Sequence, residues 1–526
     1  QHGRLYYWLE AGFRALDQYY QRSIGWTLVH RWKIVLVTLG VVASSGWFFG
    51  QVGKAFVPEQ DEGRFLVSLK TPLGSSIEYT NQRLQQVEAI LARQPEITSY
   101  FAVIGLGQAG QVNQGTAFVR LKPRSERPRS QQALLKDLRQ QLGDLAGVRA
   151  FAAPVPMVGG QRGEPLQFVI SGAALEQVGT LAQNLQNRLQ SDRTLGRVDL
   201  DLQLDLPQIT LDLDRTRANG LGISSEDVAL ALNMLTGGVD MAKYNDAVGD
   251  GQRYDIRVKA ANGSLRQIND LRQIWLRNKN GQLVRLDTLA IAKTGIGPAI
   301  ISRYNLQYAA QFYVTPTIPL GEAVAKVKAA STDLPPGYRL NFLGEAEEMG
   351  KTAGYMQFAF GMALLLLYMV LASQFNSFLQ PFIIMVAQPL AIIGGVMGLW
   401  LTGHTLNIYS MIGLVLLIGL VAKNSILLVD LTNQRRHEGL DIDAALLNAC
   451  PTRLRPVLMT SATVILALLP AALGFGAGAE TNAPLAVAVI GGMISSTLLT
   501  LVVVPAVYSL LMHGVTTWQK RRQIST

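Results

Sequence analysis

The chain has 526 residues, 49% hydrophobic and only 16% charged, against roughly 25% charged in soluble domains. A net charge of +10 with no basic stripe of interleaved aromatics excludes a nucleic-acid partner and fits Lys and Arg on the cytoplasmic side of a membrane. The single cysteine, Cys450, excludes an intrachain disulfide and falls in a predicted cytoplasmic connection between two spans.

Residues 3–31 mix aromatics, Leu and Arg at helical spacing, predicting an amphipathic helix on the cytoplasmic face. A helix packed on its own domain is the alternative. A first span is expected over 32–50. Gln1 at the start and no signal peptide suit a piece of a longer chain. Residues 51–350 hold no run long enough to cross a bilayer. There, strand-like and helix-like segments alternate. RFLVSLKTPL (64–73) alternates as a strand, and 75–94 has helical periodicity with Ser75 and Glu78 spaced as a capping box. The strand–helix–strand pattern recurs four times. Four such units pair into two ferredoxin-like sandwiches, one over 51–155 and one over 156–205 and 301–350. An inserted subdomain over 206–300 carries further strands, a helix near SSEDVALALNML and a hairpin turn at NKNG.

Five more spans are expected near 353–372, 378–401, 408–431, 456–474 and 485–511, within a membrane block of 351–512 and before a tail of 513–526. Arg14, Arg22, Arg31 and Lys33 precede the first span. Arg435, Arg436, Arg453 and Arg455 share one connection, and Lys520, Arg521 and Arg522 follow the last. Six spans with both ends inside place every basic cluster in the cytoplasm and the 300-residue middle outside it. Glycines in GGVMG (394–398) and GGMISS (491–496) allow close helix contact. Pro381, Pro389, Pro456, Pro470 and Pro505 are expected to kink spans.

Lys423 is the anomaly. It lies inside IYSMIGLVLLIGLVAKNSILLVDL, and no other apolar run contains Asp or Glu to pair with it. Either another segment supplies a carboxylate or Lys423 snorkels to the interface; Asp430, seven residues on, is about 10 Å away along a helix.

One span, a large exported α/β region and five spans, with LASQFNSFLQPFIIMVAQPLAIIGG, NIYSMIGLVLLIGLVAKNSILLVDL and RLRPVLMTSA in order, resemble the C-terminal half of resistance–nodulation–division (RND) efflux pumps, in the branch exporting hydrophobes and amphiphiles. The resemblance covers essentially the whole chain. It implies a polytopic α-helical membrane protein in an inner membrane of Gram-negative type, its large region periplasmic and its insertion a docking part. It also implies proton antiport of amphipathic small molecules, without enzyme activity or cofactor. The implied partners are an N-terminal half bearing paired membrane aspartates, further copies in a homotrimer, a periplasmic adaptor and an outer-membrane channel.

Under this resemblance Lys423 pairs with those aspartates and is released on their protonation. Arg453 and Thr460, seven residues apart on one helical face, match positions completing the relay. Alone, Arg453 reads as a cytoplasmic anchor and Thr460 as a hydroxyl bonded to its own helix. Asn424 is expected to orient Lys423 by a hydrogen bond. AVIGLGQAGQVNQG (102–115) stands where the family has a switch loop between pockets, with Gly105, Leu106 and Gly107 in it and Phe101 and Phe118 at aromatic pocket positions; strand core is the alternative for the two Phe. Leu106 and Gln108 depart from the family's aromatic pattern, implying a less aromatic pocket. Met157, Met234, Met241 and Met349 form no cluster, and neither zinc spacings nor a Walker motif occurs. Metal or lipid export on the same fold, and a non-transporting accessory role in translocation or assembly, remain the alternatives.

Overall fold

The computed structural model describes residues 4–524 except 59, 107–109, 156–163, 247–248, 262, 266 and 475–477. Two helices open the chain, α1 (Arg4–Val29) and α2 (Arg31–Gln51). The first α/β layer follows in the order β1 (Arg64–Lys70), α3 (Ile77–Ala92), β2 (Ile97–Ile104), β3 (Gln114–Leu121), α4 (Gln131–Gly143) and β4 (Arg149–Pro154). Its sheet is antiparallel in the order β2-β3-β1-β4. Period-two alternation decides which face each strand buries. Phe65, Val67 and Leu69 of β1 turn toward Leu84, Val87 and Leu91 of α3 and Leu134, Leu138 and Leu142 of α4. Each such burial contributes roughly 1.5–3 kcal/mol. The opposite face carries Leu66, Ser68 and Lys70. The cap of α3 is Ser76, whose side chain accepts from the Tyr79 N–H; the expected Ser75 cap is displaced by one residue because Ser76 takes the extended backbone that a cap requires.

The next stretch is β5 (Leu166–Gly172), α5 (Leu175–Gln190) and β6 (Arg197–Leu200). A separate compact unit, Leu202–Ile301, then intervenes. It holds β7 (Leu206–Leu213), α6 (Arg215–Gly220), α7 (Ser225–Thr236), β8 (Val239–Asn245), β9 (Arg253–Val258), β10 (Trp275–Arg277), β11 (Leu283–Arg285) and β12 (Ala290–Gly297). These strands form three two-stranded antiparallel ribbons, β7 with β12, β8 with β9 and β10 with β11. Ile223, Val228, Ile274, Leu276, Leu286 and Leu289 make its core. The β10–β11 turn is held by Asn278 Oδ1, which accepts from the Asn280 and Gln282 N–H groups. Strand β8 was not among the predicted elements. Both faces of β8 are exposed, and a register shift between Asp240 and Ala242 breaks its alternation.

The chain returns through β13 (Ser302–Tyr304), β14 (Gln307–Thr315), α8 (Leu320–Ala330) and β15 (Arg339–Leu343). These strands join β5 and β6 in a sheet ordered β13-β14-β5-β15, with β6 also paired to β14. Phe168 and Phe312 stack in its core with ring centroids 4.6 Å apart.

The remaining helices are α9 (Glu345–Phe375), α10 (Gln380–Met385), α11 (Ala387–Thr402), α12 (Ile408–His437), α13 (Ile442–Ala472) and α14 (Ala479–Ile524). Among the described residues six helices are long and apolar enough to cross a membrane, counting α10 and α11 together. Their ends outrun the apolar runs. Helix α12 continues to His437 and α13 begins at Ile442, so Arg435 and Arg436 lie on one helix and Arg453 and Arg455 on the next, with only a tight turn between. Cys450 is not in a connection; it is fully buried within α13. Small residues let α11, α12 and α14 approach closely. A Cβ on Gly395 would stand 2.6 Å from Leu414 Cδ2 and 2.9 Å from the Ala488 carbonyl. One on Gly413 would stand 2.9 Å from the Leu485 carbonyl. Helix α1 buries Tyr20, Ile24 and Leu28, a stripe of three residues at four-residue spacing, among the apolar helices. Tyr20 donates to the Leu501 carbonyl at 2.7 Å, and Arg455 donates to Asp17 at 2.8 Å. The inner face of α1 thus packs on protein, while Tyr19, Trp26 and Val29 remain exposed.

Candidate functional site

Helix α12 starts from a capping box in which Asn407 Oδ1 accepts from the Tyr409 and Ser410 N–H groups. One face of α12 packs on its neighbours through Leu414, Leu417, Val421 and Leu428. Ile412, Leu416, Gly419 and Lys423 recur at three- and four-residue intervals on the other, exposed face. Among the described residues Lys423 makes no hydrogen bond and no ion pair. Asp430 accepts instead from Gln434, at 2.9 Å.

Asn424 points the other way. It is buried, and its amide donates to Ser461 Oγ at 3.4 Å while its Oδ1 accepts from Thr460 Oγ1 at 3.4 Å. The expected bond from Asn424 to Lys423 is absent, because adjacent helical residues diverge by about 100°. Thr460 also donates to the Val457 carbonyl at 3.0 Å, the local bond that a helical threonine favours. Ser461 and Thr497 share a 2.7 Å hydroxyl bond. A polar layer therefore joins α12, α13 and α14 through Asn424, Thr460, Ser461 and Thr497. Sequence reasoning missed Ser461 and Thr497, since helical hydroxyls ordinarily satisfy themselves. Arg453 has a buried Nε without a hydrogen-bond partner. That is a costly arrangement for a guanidinium within this bundle.

A second site lies on the helix-free face of the first sheet. Phe101 of β2 and Phe118 of β3 are directly paired across the strands, with ring centroids 6.3 Å apart. They are 64% and 42% exposed, which removes strand core as their role. Further along the same face, Ser68 and Lys70, Gln114 and Thr116, and Arg149 and Phe151 line a cleft shared with Leu106 and with Arg197, Asp199, Tyr313 and Thr315 of the second sheet. The cleft is open to solvent and has a volume of about 60 Å³. Lys70 faces Asp201 at 3.6 Å and Arg149 faces Asp199 at 3.3 Å. The cleft floor is thus charged, and the aromatic pair borders it. Gly105 has φ +78°, a conformation that favours glycine, and its N–H donates to the Gln114 carbonyl at 2.8 Å. Gly107 and Gln108 lie outside the described residues. The polar lining was readable in principle, as polar residues alternating with buried apolar ones on β1, β3 and β4.

These features define a multi-helix membrane protein with a large sheet-rich region outside the bundle. Residues 1–512 match the AcrB/AcrD/AcrF family, and the chain belongs to it. It is 30% identical over 516 residues to a toluene efflux pump membrane transporter, TtgB, of Pseudomonas putida, covering 96% of this chain and 49% of that protein. It is 29% identical over 502 residues to the multidrug resistance protein MdtC of Yersinia enterocolitica, covering 94% and 48%. The chain spans about half the length of the curated relatives it matches. These relatives are RND efflux transporters.

Proposed function

We propose that the chain is one half of a proton-driven exporter that moves amphipathic or hydrophobic compounds outward by proton antiport. Lys423 carries this reading. It is a cation on an otherwise apolar membrane helix, placed on the face its own bundle leaves open. A carboxylate brought against that face is held ionised by the ammonium and loses the attraction when protonated. Proton binding then becomes helix movement. Arg453, with its unpartnered Nε, and Thr460, bonded to Asn424, act with it. The partner half supplies the carboxylates, and Gly419, four residues before Lys423, gives that half close access.

The sheet-rich region is periplasmic on this reading. Each βαββαβ order with its 2-3-1-4 strand sequence is a ferredoxin-like sandwich, and the 206–300 insertion docks onto the adaptor and the outer-membrane channel in a homotrimer. Substrates pass through the cleft below Phe101 and Phe118, with Gly105, Leu106 and Gly107 in the switch loop. The relatives' names mention toluene and multiple drugs, which suits an amphipathic cargo. The test is dye efflux in cells carrying the complete pump. Lys423→Ala abolishes uncoupler-sensitive efflux at normal protein level, whereas unchanged efflux removes Lys423 from the mechanism.

A further inference from the structure

The short segment after α2 is bonded to more elements than a connector needs. The Leu406 N–H donates to the Gly53 carbonyl at 2.8 Å, the Ala55 N–H to the Leu406 carbonyl at 3.1 Å, and the Ile408 N–H to the Phe56 carbonyl at 3.2 Å. These bonds tie the segment to the head of α12. The Gly321 N–H donates to the Lys54 carbonyl at 2.9 Å, which ties it to the head of α8. Close packing reinforces the second tie, since a Cβ on Gly53 would stand 2.7 Å from Cγ of Pro319, the residue before α8.

Asp61 is the second knot. Its own N–H donates to Glu480 Oε2 at 2.9 Å, in the first turn of α14. Its carboxylate, 2% exposed, accepts from Arg127 at 2.6 Å, from the Gln131 N–H at 2.9 Å and from the Gly63 N–H at 3.2 Å. Gln131 is the first residue of α4, so one carboxylate holds the head of that helix. From α4, Arg139 Nε donates to the Ala152 carbonyl at 2.8 Å, and its guanidinium lies over the Phe151 ring, 4.8 Å from the centroid. Phe151 lines the cleft. A continuous set of bonds therefore runs from the last membrane helix to the cleft.

We infer that Asp61 and Glu480 are positioning residues that couple α14 to the cleft: Glu480 holds the Asp61 backbone, and the Asp61 carboxylate holds α4. Displacement of α14 moves the head of α4, and with it Arg139 and Phe151. The inference rests on the exporter reading for its consequence in transport, but the joint itself is testable without transport. Contiguity alone is no proof of coupling, so the test needs a response at a distance.

The first experiment is hydrogen exchange on the purified full chain, followed in the peptide covering residues 127–135. Glu480→Ala removes the acceptor and is expected to speed exchange there by about fivefold, the factor one net hydrogen bond commands. Glu480→Gln keeps an amide oxygen in place and is expected to exchange as the parent does. Unchanged exchange in Glu480→Ala overturns the joint. The second experiment uses the complete pump in vesicles, reading proton uptake and dye export together. Glu480→Ala is expected to keep proton uptake while export falls about fivefold or more, with Glu480→Gln restoring it. Equal loss of both fluxes overturns the coupling role. A parent that moves neither protons nor dye sinks the exporter reading instead, and the exchange experiment still decides the joint.

Discussion

Single side chains in this protein are informative when their partners are missing or doubled. Lys423 was legible from the sequence because a charge inside an apolar run is costly, and the structure places it on the open face of α12. Asn424, next to it, was misread, since adjacency in sequence separates side chains around a helix. Asp61 was not singled out, because nothing in PEQDEGRF distinguishes a buried aspartate from exposed ones. Burial pushes its carboxyl pKa up, but the Arg127 bond, the Gln131 and Gly63 N–H groups and the Arg127 charge outweigh that and hold it below the ordinary 3.8. A lowered pKa stabilises the fold fully above the unfolded value of about 3.9, and that contribution disappears as pH falls through the lower folded value. Acid titration of the purified chain, read by hydrogen exchange at 127–135, is expected to show loss of protection below about pH 4. Asp61→Ala leaves Arg127 buried and unpaired and is expected to cost about 3–5 kcal/mol, seen as a large fall in thermal midpoint.

Whole elements were easier to read where one physical rule dominated. Apolar runs of bilayer length identified six spanning helices, and period-two alternation identified β1, β3 and β4. The ends were harder. Helices α12 and α13 run past their apolar stretches on polar residues that still favour helix, which hydropathy alone does not register. Strand β8 alternates as V-D-M and then as A-K-Y across a register shift, so no single period-two run marks it. Helix contacts give a sharp contrast among glycines. Gly395→Ala presses on Leu414 and the Ala488 carbonyl, so the mutant is expected to lose about 1–3 kcal/mol of stability, measured by thermal unfolding in detergent. A Cβ added at Gly419 would meet nothing within 4 Å, and Gly419→Ala is expected to unfold at the parent temperature or slightly above. If the open face of α12 is where the partner half packs, Gly419→Leu should spare this chain's stability yet block co-purification of the two halves. Undiminished co-purification would place the partner elsewhere.

The chain matches about half the length of its relatives. On the proposed reading, the chain reconstituted alone is expected to show no proton-coupled dye export, and co-reconstitution with a half bearing membrane carboxylates is expected to restore it. Export by the isolated chain would mean that Lys423 needs no external carboxylate.

The open, lysine-bearing face of α12 also bears on how the protein is made. A central lysine costs a helix about 2.5–3.5 kcal/mol on insertion, while each leucine or isoleucine returns about 0.3–0.6. Leu414, Leu416, Leu417, Ile418, Leu420, Ile426, Leu427 and Leu428 surround Lys423 on the same helix. Their sum meets that cost without help from a counter-ion. The helix is therefore equipped to enter the bilayer during synthesis with Lys423 unpaired, and its insertion need not wait for a partner.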